Sequence, residues 1–99
     1  MIEATPEPAP GSHYAMTLYV AGATHRSLTA VANLRTFLEQ ELSGRYDLEV
    51  VDLYRAPGRA KAADVVVAPT LVRYDPTPPR RVIGDMSDRQ RLRAAIKVD

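Results

Sequence analysis

The loop Gly22-Ala-Thr-His-Arg-Ser27 is where a strand pattern gives way to a helix pattern, and it gathers two hydroxyls and a histidine within four residues. A helix N-terminus offers free amides and the positive end of the helix dipole, the setting that stabilises a thiolate. The chain has no cysteine, so disulfide exchange, thiol catalysis and thiolate metal ligation are excluded together. Thr24 and Ser27 are therefore read as helix caps. His25 could act as a base, but no acidic orienter and nucleophile accompany it, so it reads as an exposed loop residue. The other histidine, His13, falls in the N-terminal leader. Asp75, Asp85 and Asp88 lack metal-ligand spacing and suit turns and caps instead. Gly22, Gly58 and Gly84 are isolated, which leaves no glycine-rich phosphate loop. The expectation is a protein with no catalytic residues, no cofactor and no metal.

Charge adds little to this at the level of the whole molecule, whose formal net charge is +1. Most of the positive charge lies in the second half, at Arg55, Arg59, Lys61, Arg73, Arg80, Arg81, Arg89, Arg91, Arg93 and Lys97. These read as a solvated face balanced by Glu39, Glu41, Asp47, Glu49 and Asp52. No aromatic residues are interleaved with the arginines as a stacking platform would need, so no nucleic-acid partner is expected. No apolar run approaches the roughly 18 to 20 residues of a membrane span. The first residues, Met-Ile-Glu-Ala-Thr-Pro-Glu-Pro-Ala-Pro, lack the basic start and apolar centre of a signal peptide. A cytoplasmic protein is expected, and the absence of cysteine suits a reducing compartment.

The elements that must carry these residues fit one domain, since 99 residues with 45% hydrophobic and 25% charged content allow a single core. Residues 1 to 14, rich in proline and poor in apolar side chains, are expected to be a disordered leader ahead of a domain at 15 to 99. Met16, Leu18 and Val20 alternate with Thr17 and Tyr19, a period of two that predicts a central strand ending at Ala21-Gly22. Leu28, Val31, Leu34, Leu38 and Leu42 recur every three or four residues and predict an amphipathic helix closed by Gly44, with Asn33, Thr36, Gln40 and Glu41 on its other side. Leu48, Val50, Val51, Leu53 and Tyr54 predict a second strand, parallel to the first across a right-handed crossover. Arg59-Ala-Lys-Ala-Ala-Asp predicts a short surface helix.

Val65 to Leu71, Val-Val-Val-Ala-Pro-Thr-Leu, is the densest apolar run and is broken by one proline. Proline cannot donate to a sheet ladder, so Pro69 is expected at the head of a strand beginning at Thr70. Thr70 to Tyr74 and Arg81 to Ile83 then predict an antiparallel pair joined by Asp75-Pro-Thr-Pro-Pro. Ser87-Asp-Arg-Gln reads as a capping box opening a last helix that buries Leu92, Ala95 and Ile96 and runs to about Lys97. The order is βαβ(α)ββα, an α/β (α+β) small mixed sheet flanked by helices. With a proline at the entry of the third strand, it matches the thioredoxin-like plan, in which the Ala68-Pro69 bond is expected to be cis.

Leu18-Tyr-Val-Ala-Gly with Thr24 and Ser27, Leu38-Glu-Gln-Glu, Tyr46-Asp-Leu-Glu-Val-Val-Asp52, Pro57, Ala68-Pro-Thr-Leu and, above all, Arg80-Arg-Val-Ile-Gly-Asp-Met-Ser-Asp-Arg89 are the stretches in which the chain resembles the KaiB family of clock-associated proteins. The resemblance spans Leu18 to about Lys97. It implies a non-enzymatic protein that docks on a KaiC-type ATPase ring. A related sensor domain stands at the N-terminus of clock-output histidine kinases, so a kinase or another clock component is a further implied partner. It also implies two folds, a tetrameric ground state ending in a strand and a thioredoxin-like binding state. Where switching relatives carry a glycine and an aspartate, this chain has Ala95 and Lys97, so these two are taken as fold-state determinants that favour the thioredoxin-like form, as a monomer or weak oligomer. Arg35, Asp47, Glu49, Arg80 and Arg81 are the expected partner-interface residues. Ala23-Thr-His-Arg-Ser27, Thr29, Ala32, Asp47 and Glu49 depart from the family's pattern. The alternative is a thioredoxin-fold adaptor that serves another signalling protein without KaiC.

Overall fold

The central strand β1 (Tyr14–Val20) organises the molecule, because its side chains are buried on both faces. In this computed structural model, which describes residues 13 to 97, the sheet has the order β2-β1-β3-β4. β2 (Tyr46–Asp52) lies parallel to β1, β3 (Thr70–Asp75) antiparallel to β1, and β4 (Arg80–Ile83) antiparallel to β3. Helices α1 (His25–Glu41) and α3 (Arg89–Ile96) cover one face, and the short α2 (Pro57–Ala62) lies on the other. Met16, Leu18 and Val20 of β1 join the α1 and α3 layer together with Leu71 of β3 and Val82 of β4. Tyr19 points the other way, into a smaller cluster with Val51, Ala60, Val65 and Val72. Successive strand residues alternate between faces, so one strand serves two cores.

Tyr14, expected in the leader, is instead the first residue of β1: it is buried, pairs with Tyr46, and donates its amide to the Arg45 carbonyl at 2.8 Å. Of the rest of the expected leader, His13 is exposed and outside any strand, and residues 1 to 12 lie outside the described residues.

The first helix has the expected cap but a different buried face. Thr24 is the N-cap, its hydroxyl accepting from the Ser27 amide at 3.2 Å. The buried arc runs through Ala30, Leu34, Phe37 and Leu38, with Leu42 beyond the last turn, whereas Leu28 is 59% exposed. At about 100° per residue, Leu28 stands about 120° from Leu34, outside the arc, while Phe37 stands about 60° from it and inside. Asn33 is not a solvent residue either, since its side-chain amide donates to the Asp85 carbonyl at 2.9 Å and ties α1 to the turn before α3.

Three boundaries move for local reasons. β2 stops at Asp52, whose carboxylate accepts the Tyr54 amide at 2.9 Å and the Gly22 amide at 3.1 Å; the Leu53 amide still donates to the Val20 carbonyl at 2.8 Å, and the chain turns away at Tyr54. The short helix starts at Pro57, whose fixed φ and missing N–H suit the first helical position. The last helix is capped by Asp88 rather than Ser87, the Asp88 carboxylate accepting from the Arg91 amide at 3.1 Å. Of the apolar run, Val65 packs, but Val66 is 87% exposed. The Ala68-Pro69 peptide bond is cis, as are Asp75-Pro76 and Thr77-Pro78.

Candidate partner-binding site

β2 is an end strand of the sheet, and alternation sends Asp47 and Glu49 to the α2 side and Tyr46, Leu48 and Val50 to the α1 side. Glu49 is held by the Arg59 guanidinium of α2 through two parallel bonds of 2.7 and 2.8 Å, and these hold its carboxyl below the usual carboxylate range. Asp47 accepts from the His13 ring at 2.8 Å, with both side chains largely in solvent. On the α1 side, the Tyr46 hydroxyl donates to Glu39 at 2.6 Å, a bond that raises its pKa, and the Arg35 charge lies close enough to oppose that rise. Arg35, Asp47 and Glu49 therefore border one edge.

Arg80 and Arg81 stand on β4, three strand spacings away, about 14 Å across the sheet. Their side chains part to opposite faces, Arg80 to the α1 and α3 side with Val82, and Arg81 to the α2 side. Arg81 donates to the carbonyls of Ala63 and Asp64 just past the C-terminus of α2, where a cation is favoured by the helix dipole. The structure thus divides the five expected interface residues into two groups at the two ends of the sheet.

Between α2 and the sheet lies an open groove of about 700 Å³, lined by Thr17, Tyr19, Glu49, Gly58, Arg59, Ala62, Ala63 and Tyr74. Tyr19 and Tyr74 share a 2.7 Å hydrogen bond at its floor. Burial first, and the Tyr74 hydroxyl second, push the Tyr19 phenol up to about 12. A phenol so hard to ionise is a poor base near neutral pH. His25, the first residue of α1, is exposed, and among the described residues no group of three or more His, Asp or Glu could hold a metal ion.

Two arrangements were not read from the sequence. The Glu41 carboxylate receives Arg93 at 2.8 Å, Lys97 at 3.4 Å and Arg89 at 3.5 Å, so that one anion at the end of α1 faces three cations spaced four residues apart, two on α3 and one at its C-cap. Its carboxyl is held below the usual range, mainly by the Arg93 hydrogen bond and then by Lys97. The spacing of 89, 93 and 97 is a helical stripe visible in the sequence, but its partner lies 48 to 56 residues away. Arg89 also stacks on Phe37, 5.1 Å from the ring centre. The second is Arg73, which is buried in the core layer although arginines are mostly exposed. Ala95 lies within α3, half buried, and Lys97 is the residue just past its end.

The fold defines a class: a thioredoxin-like domain, here in a chain without cysteine. Among solved structures it is similar to the N-terminal domain of Synechococcus elongatus SasA, with a TM-score of 0.70 and 22% identity over 94% of this chain and 90% of that one. It is likewise similar to mitochondrial thioredoxin 3 from Saccharomyces cerevisiae, with a TM-score of 0.67 and 15% identity over 84% and 76% of the two chains. The KaiB domain model matches residues 17 to 98. The chain is 44% identical to the circadian clock oscillator protein KaiB of Prochlorococcus marinus, over 85% of this chain and 71% of that protein. Against the KaiB of Gloeothece citriformis it is 43% identical over 80% and 74%. This chain belongs to the KaiB family.

Proposed function

We propose that this protein is a non-enzymatic regulatory binding protein that docks on a KaiC-type ATPase ring and rests in the thioredoxin-like form. The observation that carries the docking is the β2 edge: a seven-residue end strand, bordered by Arg35, Asp47 and Glu49. An end strand presents unpaired N–H and C=O groups that a partner segment can match, and the flanking charges select the partner's own pattern. Glu49 is already paired with Arg59, so Asp47, which is 80% exposed and meets the His13 ring, is the acid that favours a cation on the segment opposite. Arg80 and Arg81, at the β4 edge, serve as a second, separate contact.

The resting form is supported by α3. Ala95 sits inside that helix, Lys97 places a cation at its C-terminal end, and Lys97 together with Arg89 and Arg93 of α3 meets Glu41 of α1. All of these interactions are made only while residues 89 to 96 are helical.

Titration against the cognate ring in its ADP-bound and ATP-bound forms tests the reading. Docking is expected to prefer one nucleotide state, because a ligand shifts only equilibria between states it distinguishes. Asp47→Lys is expected to weaken it about tenfold, the size of one misplaced charge at an interface, about 1.4 kcal/mol. Equal affinity for the two states, or no loss with Asp47→Lys, would overturn it. The departure of Asp47 and Glu49 from the family's pattern favours a second reading, an adaptor for a histidine kinase or other signalling protein. Capture of such a protein by an intact β2 edge, with no binding to the ring, would select it.

A further inference from the structure

Arg73 is 2% exposed, and among the described residues no carboxylate forms an ion pair with it. Its Nη1 donates to the carbonyl of Ile96, the last residue of α3, at 2.8 Å, and its Nη2 donates to the carbonyl of Pro78 in the β3–β4 loop. Its Nε is buried with no hydrogen-bond partner among the described residues. Across the ladder it faces Met16 on β1 and another arginine, Arg80, on β4. A guanidinium stays charged in a protein, so burying one beside a like charge and with no carboxylate paired to it is costly. The Asp75 charge offsets part of that cost from a distance, but the hydrogen bonds that offset it are main-chain: the carbonyl at the negative end of the α3 dipole and one loop carbonyl. These two acceptors lie 18 residues apart and on different elements, and a single rigid fork spans both.

We propose that Arg73 is a latch that makes the C-terminal end of α3 and the β3–β4 hairpin open and close as one unit. If either acceptor leaves, the guanidinium loses half of its compensation and gains access to water, so the other acceptor is released with it. The consequence is a coupling between two surfaces. A partner that grips the β4 edge at Arg80 also steadies the end of α3, and a contact that orders α3 tightens the hairpin in return, because coupling free energies are reciprocal. The inference concerns the folded arrangement alone and stands whether or not a ring ATPase is the partner.

Native-state hydrogen exchange on the full chain, followed residue by residue by NMR at low denaturant, tests it. The protected amides of β4 and those at the end of α3, up to Lys97, are expected to merge into one opening unit, with opening constants within about threefold of each other. Arg73→Met removes the charge and both bonds. Arg73→Lys keeps the charge but replaces the fork by a single ammonium, and guards against loss of folding in the first variant. Each is expected to separate the two sets by about tenfold or more. Ile96→Val, which loosens the packing without touching the fork, is expected to raise both sets together. Two sets that already open separately in the unaltered protein, or that stay in step in Arg73→Lys and Arg73→Met, would overturn the latch. A split caused equally by Ile96→Val would overturn it too, since packing rather than the fork would then carry the coupling.

Discussion

Replacing Ala95 by Gly and Lys97 by Asp together probes the proposed resting form at the element that supports it. Ala95 lies inside α3, where glycine costs about 1 kcal/mol relative to alanine through added backbone freedom. Lys97 is the C-cap, so exchanging its cation for an anion forfeits about 0.3 to 1 kcal/mol of interaction with the helix dipole. The new carboxylate would also stand where Lys97 now meets Glu41 at 3.4 Å, turning attraction into repulsion. The sum, about 1 to 2 kcal/mol, lowers the population of the helical C-terminus relative to any alternative by a factor of about 5 to 30. Exchange protection of the amides in 92 to 97 should fall by that factor, and partner binding should slow as the competent form becomes rarer. Loss of protection below about twofold, or unchanged binding kinetics, would refute the reasoning, because α3 would then owe its conformation to core packing at Leu92 and Ile96 rather than to the helix itself.

Acid sensitivity should track Glu41 and Glu49. Their folded pKa values lie below the ordinary 4.5, so the stability they give is fully present above that value and is lost as pH falls through the folded values. Glu41→Gln should therefore flatten the acid limb of a thermal-melting profile, and an unchanged limb would count against the cluster. At the alkaline end the sign reverses. Tyr19 is raised from 10.0 to about 12, so its burial stabilises the fold below pH 10 and ceases to do so as pH climbs toward 12, and Tyr74→Phe should lower the Tyr19 value in an ultraviolet titration. Leu34→Ala, at a fully buried site, should cost about 2 to 5 kcal/mol in denaturant unfolding. Leu28→Ala should stay within about 0.5 kcal/mol of the unaltered chain, and the reverse ranking would place the buried face of α1 elsewhere.

The order of elements was legible because periodicity and proline act locally. Met16, Leu18 and Val20 announce a strand, and Pro69 marks where the next one can begin. The phase of α1 was not legible from spacing alone: Leu28 and Leu34 both satisfy a three-or-four rule, and only the sheet's position decides that Phe37 belongs inside and Leu28 outside. The division of the candidate interface was hidden for a related reason. Asp47 and Arg81 are simply charged residues on strands until the order β2-β1-β3-β4 assigns them to opposite edges. Arg73 could not be told from its fellow arginines, since its burial depends on two carbonyls supplied by other elements.

The open flank at β2 also bears on how the molecule stays dispersed. A long end strand can pair with the same strand of another copy and seed stacking into insoluble material. β4 spans four residues, carries two arginines and is short enough to be a poor template, so the seven-residue β2 is the more exposed of the two flanks. Asp47, exposed while Glu49 is paired with Arg59, sets like charges against each other when two copies approach strand to strand, and leaves a basic segment free to approach. Neutralising Asp47 would therefore remove a guard against self-stacking at the same time as it altered the candidate docking edge, and one carboxylate would be answering for colloidal behaviour as well as for recognition.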